Sequence, residues 1–135
     1  MIGKRKKQRT KMNGEVEILE REPNSLNELF NYQVLFQHLI TKEVNLPKDS
    51  LKWYSYHIQA MIEEFGELMK ADKRWKTHRT DYDPENKLEE LTDMYITFIN
   101  LCIFSGVGPN KIHVAAKEKI MKNFKRFEDA NDGHS

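Results

Sequence analysis

Two short acidic patterns stand out in the chain: Glu64-Phe65-Gly66-Glu67 and Glu90-Leu91-Thr92-Asp93. In each the acids are three residues apart, which on a helix places them on one side, a turn from each other. Both pairs are interleaved with apolar residues (Ile62, Phe65, Leu68 and Met69 around the first, Leu88, Leu91 and Met94 around the second). Acids on a solvated face are ordinary, but acids set among residues that seek a core are costly. Four such groups facing one another repel and lose solvation. A hard divalent cation reverses that penalty. Mg²⁺ takes oxygen ligands in near-octahedral geometry, shared among carboxylates, water and phosphate. Glu64, Glu67, Glu90 and Asp93 are therefore the candidate metal ligands and catalytic groups. Glu63 and Glu89 flank them as outer or exposed acids, with Glu63 able to join the site.

Other metal chemistries fail on ligand inventory. There is no E-x-x-H pattern of the di-iron bundles. The five histidines (His38, His57, His78, His113, His134) form no H-x-x-x-H pair, and the single Cys102 cannot build a zinc knuckle. Neither a P-loop nor a G-x-S-x-G is present in the sequence.

The elements that must position the acids read as helices. Ser25 with Glu28 forms a capping box ahead of Leu26, Leu29, Phe30, Val34 and Ile40, predicting a helix over 26–41. Asp49 or Ser50 caps a second helix carrying Trp53, Tyr54, Ile58, Met61, Ile62, Phe65, Leu68 and Met69 at helical spacing. A polar loop over 76–83 leads to Asp83, which caps a third helix with Pro84 in its first turn. That helix is expected to bury Leu88, Leu91, Met94, Phe98, Leu101 and Cys102 and to end at Gly106. Pro109 opens a fourth, through about Asp129, with Ile112, Ala116, Ile120, Phe124 and Phe127 facing inward. No run alternates convincingly as a strand. The expected fold is all-α: a four-helix bundle-like array in which the two acidic helices run antiparallel and face their acids across a groove.

At 135 residues the chain suits one domain. The division expected is a basic, disordered tail and linker over 1–24, a helical domain over 25–130, and a flexible end over 131–135. Apolar residues make up 39% and charged residues 32%, so the core is modest and a partner subunit is expected to complete burial. Residues 1–11 hold six of the 22 basic groups and no acid, leaving 16 basic against 21 acidic groups elsewhere. Such a tail can touch nucleic acid, although no aromatic or structural context accompanies it and a solubilising leader is the plainer reading. One cysteine fits a reducing compartment, and no signal peptide or membrane span is read, so a cytoplasmic protein is expected.

The constellation as a whole resembles the all-α NTP pyrophosphatase superfamily, which includes MazG-like enzymes and dimeric, Mg²⁺-dependent dUTPases. The signature is E-x-x-E on one helix and E-x-x-D on the next, met by Glu64, Glu67, Glu90 and Asp93. Within the group the chain most resembles dUTPases and dCTP/dUTP pyrophosphatases of tailed phages, from about Leu26 to Glu128. Gln33 and Gln37 resemble the amides that serve the pyrimidine. Trp53 lies at the family spacing before the glutamates, and Trp75-Lys76 resembles the W-K after the first acidic helix. Lys119, Asn123 and Arg126 match a K-x-x-x-N-x-x-R arrangement that holds phosphates. The chain departs from the pattern D-x-x-H-F, reading Asp93-Met94-Tyr95-Ile96-Thr97, and its loop between Trp75 and Asp83 is short.

The resemblance implies a Mg²⁺-dependent pyrophosphohydrolase (Mn²⁺ a substitute) that converts dUTP or dCTP to the monophosphate and pyrophosphate. It implies a homodimer or higher homo-oligomer in a bacterial or phage-infected cytoplasm. Two alternatives stay open: a broader MazG-like house-cleaning enzyme, and a non-catalytic helical module binding nucleic acid or protein.

Overall fold

The computed structural model describes residues 9–12, 16–19 and 22–132. Among them four α-helices run Leu26–Thr41 (α1), Leu51–Ala71 (α2), Pro84–Ile103 (α3) and Pro109–Asp132 (α4), and the fold is all-α in its body. Each start is set by local chemistry. Ser25 and Ser50 accept hydrogen bonds from Glu28 N and Trp53 N, while Asp83 accepts from Asn86 N ahead of Pro84. After α3, Gly106 N donates to Ile103 O and Val107 N to Cys102 O, a Schellman arrangement. It needs a left-handed residue, and Gly106 supplies it with φ +70°.

Helices α2 and α3 are antiparallel and clamped at both ends. At one end Lys48 N donates to Ile103 O and Ser50 N to Phe104 O. At the other, Lys73 N donates to Asp81 O and Asp83 N to Ala71 O. Asp72 reinforces this second clamp, accepting from Arg74 Nε at 2.8 Å and from Lys87 Nζ at 2.9 Å. Those two cations hold the Asp72 carboxyl far below the usual carboxylate range. Two clamps leave the helix pair one register, and that register decides which residues meet in the middle.

The core sits at the first clamp. Phe30, Ile99, Cys102, Ile103 and Phe104 form it, with Leu29, Val34, Leu46, Trp53, Val107 and Ile112 packed around. His57 is buried against Phe104 with rings stacked 5.4 Å apart. Burial holds its imidazole below the ordinary histidine value, favouring the neutral form.

Three sequence expectations are corrected here. First, strands do form: Arg9–Met12 (β1) pairs antiparallel with Val16–Leu19 (β2), in register Thr10 with Ile18 and Met12 with Val16. They fall inside the stretch read as a disordered leader, and β2 lies against α1. The sequence signal was the Asn13-Gly14 dipeptide, a hairpin-turn pair between two short runs. The rest of the expected basic leader lies outside the described residues. At the other end α4 extends to Asp132, so residues 131 and 132 of the expected flexible end are helical, and 133–135 lie outside the described residues.

Second, the buried face of α3 is only partly the one expected: Cys102 is buried as expected, but much of the rest is not. Leu88, Leu91 and Phe98 are exposed, and the inward face is Thr97, Ile99, Asn100, Cys102 and Ile103. The end clamps rotate α3 so that its polar stripe faces the neighbouring helices. Third, α4 carries no buried residue; Ile120, Phe124 and Phe127 are exposed rather than inward, because α4 meets the body only near its start. Ile62, Phe65 and Met69 on α2 are exposed as well. One chain leaves far more apolar surface open than a monomer of this size ordinarily does.

The Asp83 cap carries the start of the helix that positions Glu90 and Asp93. Asp83→Ala is expected to cost about 1 kcal/mol, the usual worth of an N-cap. A thermal melt should show the midpoint falling by a few degrees, with helix content kept.

Candidate functional site

The register of α2 against α3 brings Glu64 opposite Glu90 and Asp93. One carboxylate oxygen from each of the three lies within 4.8 Å of the other two. Glu64 is half-buried, and its carboxyl is pushed above the ordinary glutamate range. Loss of solvation is the largest cause, followed by the charges of Asp93 and Glu90 and a hydrogen-bond contact with Glu90. The charged neighbours that raise Glu64 are Asp93, Glu90 and Glu63, all acids. The three groups crowd negative charge into one small space.

Glu67, the fourth acid of the sequence pattern, is not gathered into this cluster. It pairs with Lys70 at 3.6 Å on its own helix, half-exposed. The physical reason is a competing lysine three residues on, which draws the carboxylate along the outside of α2. Hard oxygen donors within a shared 4.8 Å suit Mg²⁺ or Mn²⁺. The elevated Glu64 carboxyl fits the same reading, since a cation there favours the ionised form that burial and the neighbouring acids disfavour.

Deeper along the same pair of helices the groove changes character. Asp93, Thr97 and Asn100 follow at helical spacing on α3, and Thr97 and Asn100 are buried. Gln33 on α1 reaches this stripe, its Nε2 donating to Asn100 Oδ1 at 2.8 Å. Gln37, one turn further along α1, is buried too. Gln33 and the acids thus lie on one polar line, bridged by Thr97 and Asn100. Sequence reasoning gave Asn100 no role at the site. Its signal was the seven-residue step from Asp93, two helical turns along one face.

The aromatic and basic candidates lie elsewhere. Trp53 packs into the core, tilted against Phe104 with ring centroids 6.1 Å apart, and its Nε1 donates to Glu43 Oε1 at 3.4 Å. Trp75 is exposed beyond the end of α2, donating to Met69 O at 3.4 Å, with Lys76 Nζ 5.2 Å from its ring centroid. Lys119, Asn123 and Arg126 are exposed along α4 and are not brought to the acids within one chain. Their spacing nonetheless makes a single stripe, and Ile120, Phe124 and Phe127 make a parallel stripe about 100° round the helix. No helix among the described residues is long and apolar enough to cross a membrane.

Residues 25–131, nearly the whole helical body, match the model of a family described as dUTPase. Comparison with curated proteins and with solved structures returned no match.

Proposed function

The chain belongs to this dUTPase family, and from that premise we propose that it is a Mg²⁺-dependent pyrophosphohydrolase of pyrimidine deoxynucleoside triphosphates, dUTP first and dCTP as the second candidate. The observation that carries the reading is the convergence of Glu64, Glu90 and Asp93 within 4.8 Å, beside a buried amide stripe that a nucleoside can lie along.

Glu64, Glu90 and Asp93 would hold the cation, joined by Glu67 once its carboxylate leaves Lys70. When bound, Mg²⁺ supplies positive charge and Lewis acidity at the phosphate end of the groove. Glu64, facing Glu90 and Asp93 across the groove, is the group to accept a proton from the attacking water. Water adds to the α-phosphorus, the bond to the bridging oxygen breaks, and pyrophosphate leaves with its electron pair. Lys119, Asn123 and Arg126 bind the phosphate oxygens, and Gln33 meets the pyrimidine edge.

Those α4 residues can serve the site only from another direction, so we further propose a homodimer. The exposed apolar faces of α2, α3 and α4 support it: they are more surface than one chain can leave wet. In that arrangement the α4 of one protomer packs on its partner, and its polar stripe faces the partner's acids.

The direct experiment is pyrophosphate release from a panel of deoxynucleoside triphosphates, with Mg²⁺ and with chelator. The expected result is Mg²⁺-dependent release from dUTP, with purine nucleotides poor. Release across purines and modified bases alike would favour the broader house-cleaning activity. No release from any nucleotide would remove the enzymatic reading.

A further inference from the structure

Gln33 is anchored before any ligand arrives. Its Nε2 donates to Asn100 Oδ1 at 2.8 Å, and Asn100 is 6% exposed among Ile99, Ile103 and Phe104. A buried amide in such surroundings is costly without its partner, so the contact is held rather than incidental. It also has a direction. With the nitrogen end committed to Asn100, the oxygen end of the Gln33 amide, Oε1, is what remains as its acceptor. Asn100 stands seven residues beyond Asp93 on one face of α3, about 10 Å along the helix, on the scale of a nucleoside between phosphate and base edge.

We infer that Asn100 is a positioning residue for base choice: by holding Gln33 Nε2 it turns Gln33 Oε1 toward the pyrimidine, where an acceptor selects a ring N–H over a ring lone pair. Uracil carries N3–H at that edge, and cytosine carries a bare N3. A freed Gln33 amide would rotate to offer either end, so the discrimination resides in the Asn100 contact as much as in Gln33. This inference rests on the nucleotide reading above.

The test is steady-state kinetics on dUTP and dCTP with Mg²⁺, for wild type, Asn100→Leu, Asn100→Asp, Gln33→Ala and the Gln33→Ala/Asn100→Leu double variant. Asn100→Leu should raise KM for dUTP and shrink the preference for dUTP over dCTP by ~10-fold or more, the worth of one buried hydrogen bond, with kcat moved far less. Asn100→Asp keeps an acceptor for Nε2 and should recover the preference. The double variant should discriminate no worse than Gln33→Ala alone, because both lesions remove one contact. If Asn100→Leu melts below the assay temperature, Asn100→Ser, too short to span the gap, is read the same way. An unchanged preference in a folded variant, or an equal kcat loss on both substrates, would reduce Asn100 to a brace between α1 and α3. A wild type that turns over dUTP and dCTP equally would also overturn the inference while leaving the hydrolase standing. A wild type inactive on both pyrimidines would instead overturn the nucleotide reading.

Discussion

Glu90→Gln is expected to lower turnover by ~10²-fold or more, the scale of losing one preorganised charge contact in a transition state, while leaving the metal-free fold as stable as wild type or slightly more so. The two halves of that expectation have one cause. In the metal-free protein Glu90 pushes the Glu64 carboxyl upward, and with Asp93 it crowds three acids into one small space. Replacing one carboxylate by its neutral isostere relieves that repulsion, yet it removes one of the three proposed ligands of the cation. A purely structural acid would behave the other way, costing stability and sparing turnover.

The same crowding sets a pH dependence. Glu64 has a raised folded-state value, so its contribution to stability is fully present at acid pH and is lost as pH rises through that raised value. Mg²⁺ competes with the proton, so its stabilising effect should grow with pH across the window above the ordinary glutamate value. In Glu90→Gln both slopes should flatten, because one of the charges that raise Glu64 is gone. Glu85, exposed in the first turn of α3, is the control, and Glu85→Gln should stay within about 0.5 kcal/mol, as surface changes usually do. Paired melts with and without Mg²⁺ plus a non-hydrolysable dUTP analogue, alongside turnover, decide the matter. Normal turnover by Glu90→Gln, or no stabilisation of wild type by metal and analogue, would make the cluster a charged helix surface only.

The helices were legible in the sequence because their ends are local chemistry. Ser25, Ser50, Asp83 with Pro84, and Gly106 each satisfy or terminate backbone hydrogen bonds within a few residues, and each does so in the structure. The facing of Glu64 with Glu90 and Asp93 was legible for a related reason: equal spacings on adjacent antiparallel helices have few ways to meet. What was not legible was rotation. Helix α3 has apolar residues on several sides, so periodicity offered Leu88, Leu91 and Phe98 as readily as Ile99 and Ile103. The choice is made by the backbone clamps at Lys48, Ser50, Lys73 and Asp83, which join residues far apart in sequence. Glu67 stands outside the three-acid cluster and beside Lys70, a neighbour that a pattern counting only acids does not weigh. Periodicity marks an apolar stripe without saying what covers it, and the α4 stripe that read as core stands exposed in one chain.

Phe124→Glu tests what covers that stripe, and it is expected to give a folded monomer with turnover reduced toward ~10²-fold. Phe124 is 61% exposed and Phe127 69%, on a helix that carries no buried residue. If a second copy buries this face, a carboxylate at its centre meets apolar surface without a partner. Central aromatic positions of that kind commonly account for 2 kcal/mol or more of association. The monomer itself should melt close to wild type per chain, since the substitution removes no intrachain packing. Activity falls with the dimer because Lys119, Asn123 and Arg126 lie on the adjoining stripe and leave with it. Sedimentation gives the oligomeric state, and mixing gives the geometry. Glu90→Gln lacks a proposed metal ligand but keeps a sound α4, while Lys119→Ala has the converse defect. If α4 serves the partner's acids, a mixed dimer of the two carries both lesions in one site and none in the other, so combining two poorly active proteins should restore turnover. If each chain's α4 serves its own acids, every site in the mixture carries one lesion and activity stays low. A monomeric wild type with full turnover would set aside the dimer and return α4 to its own chain.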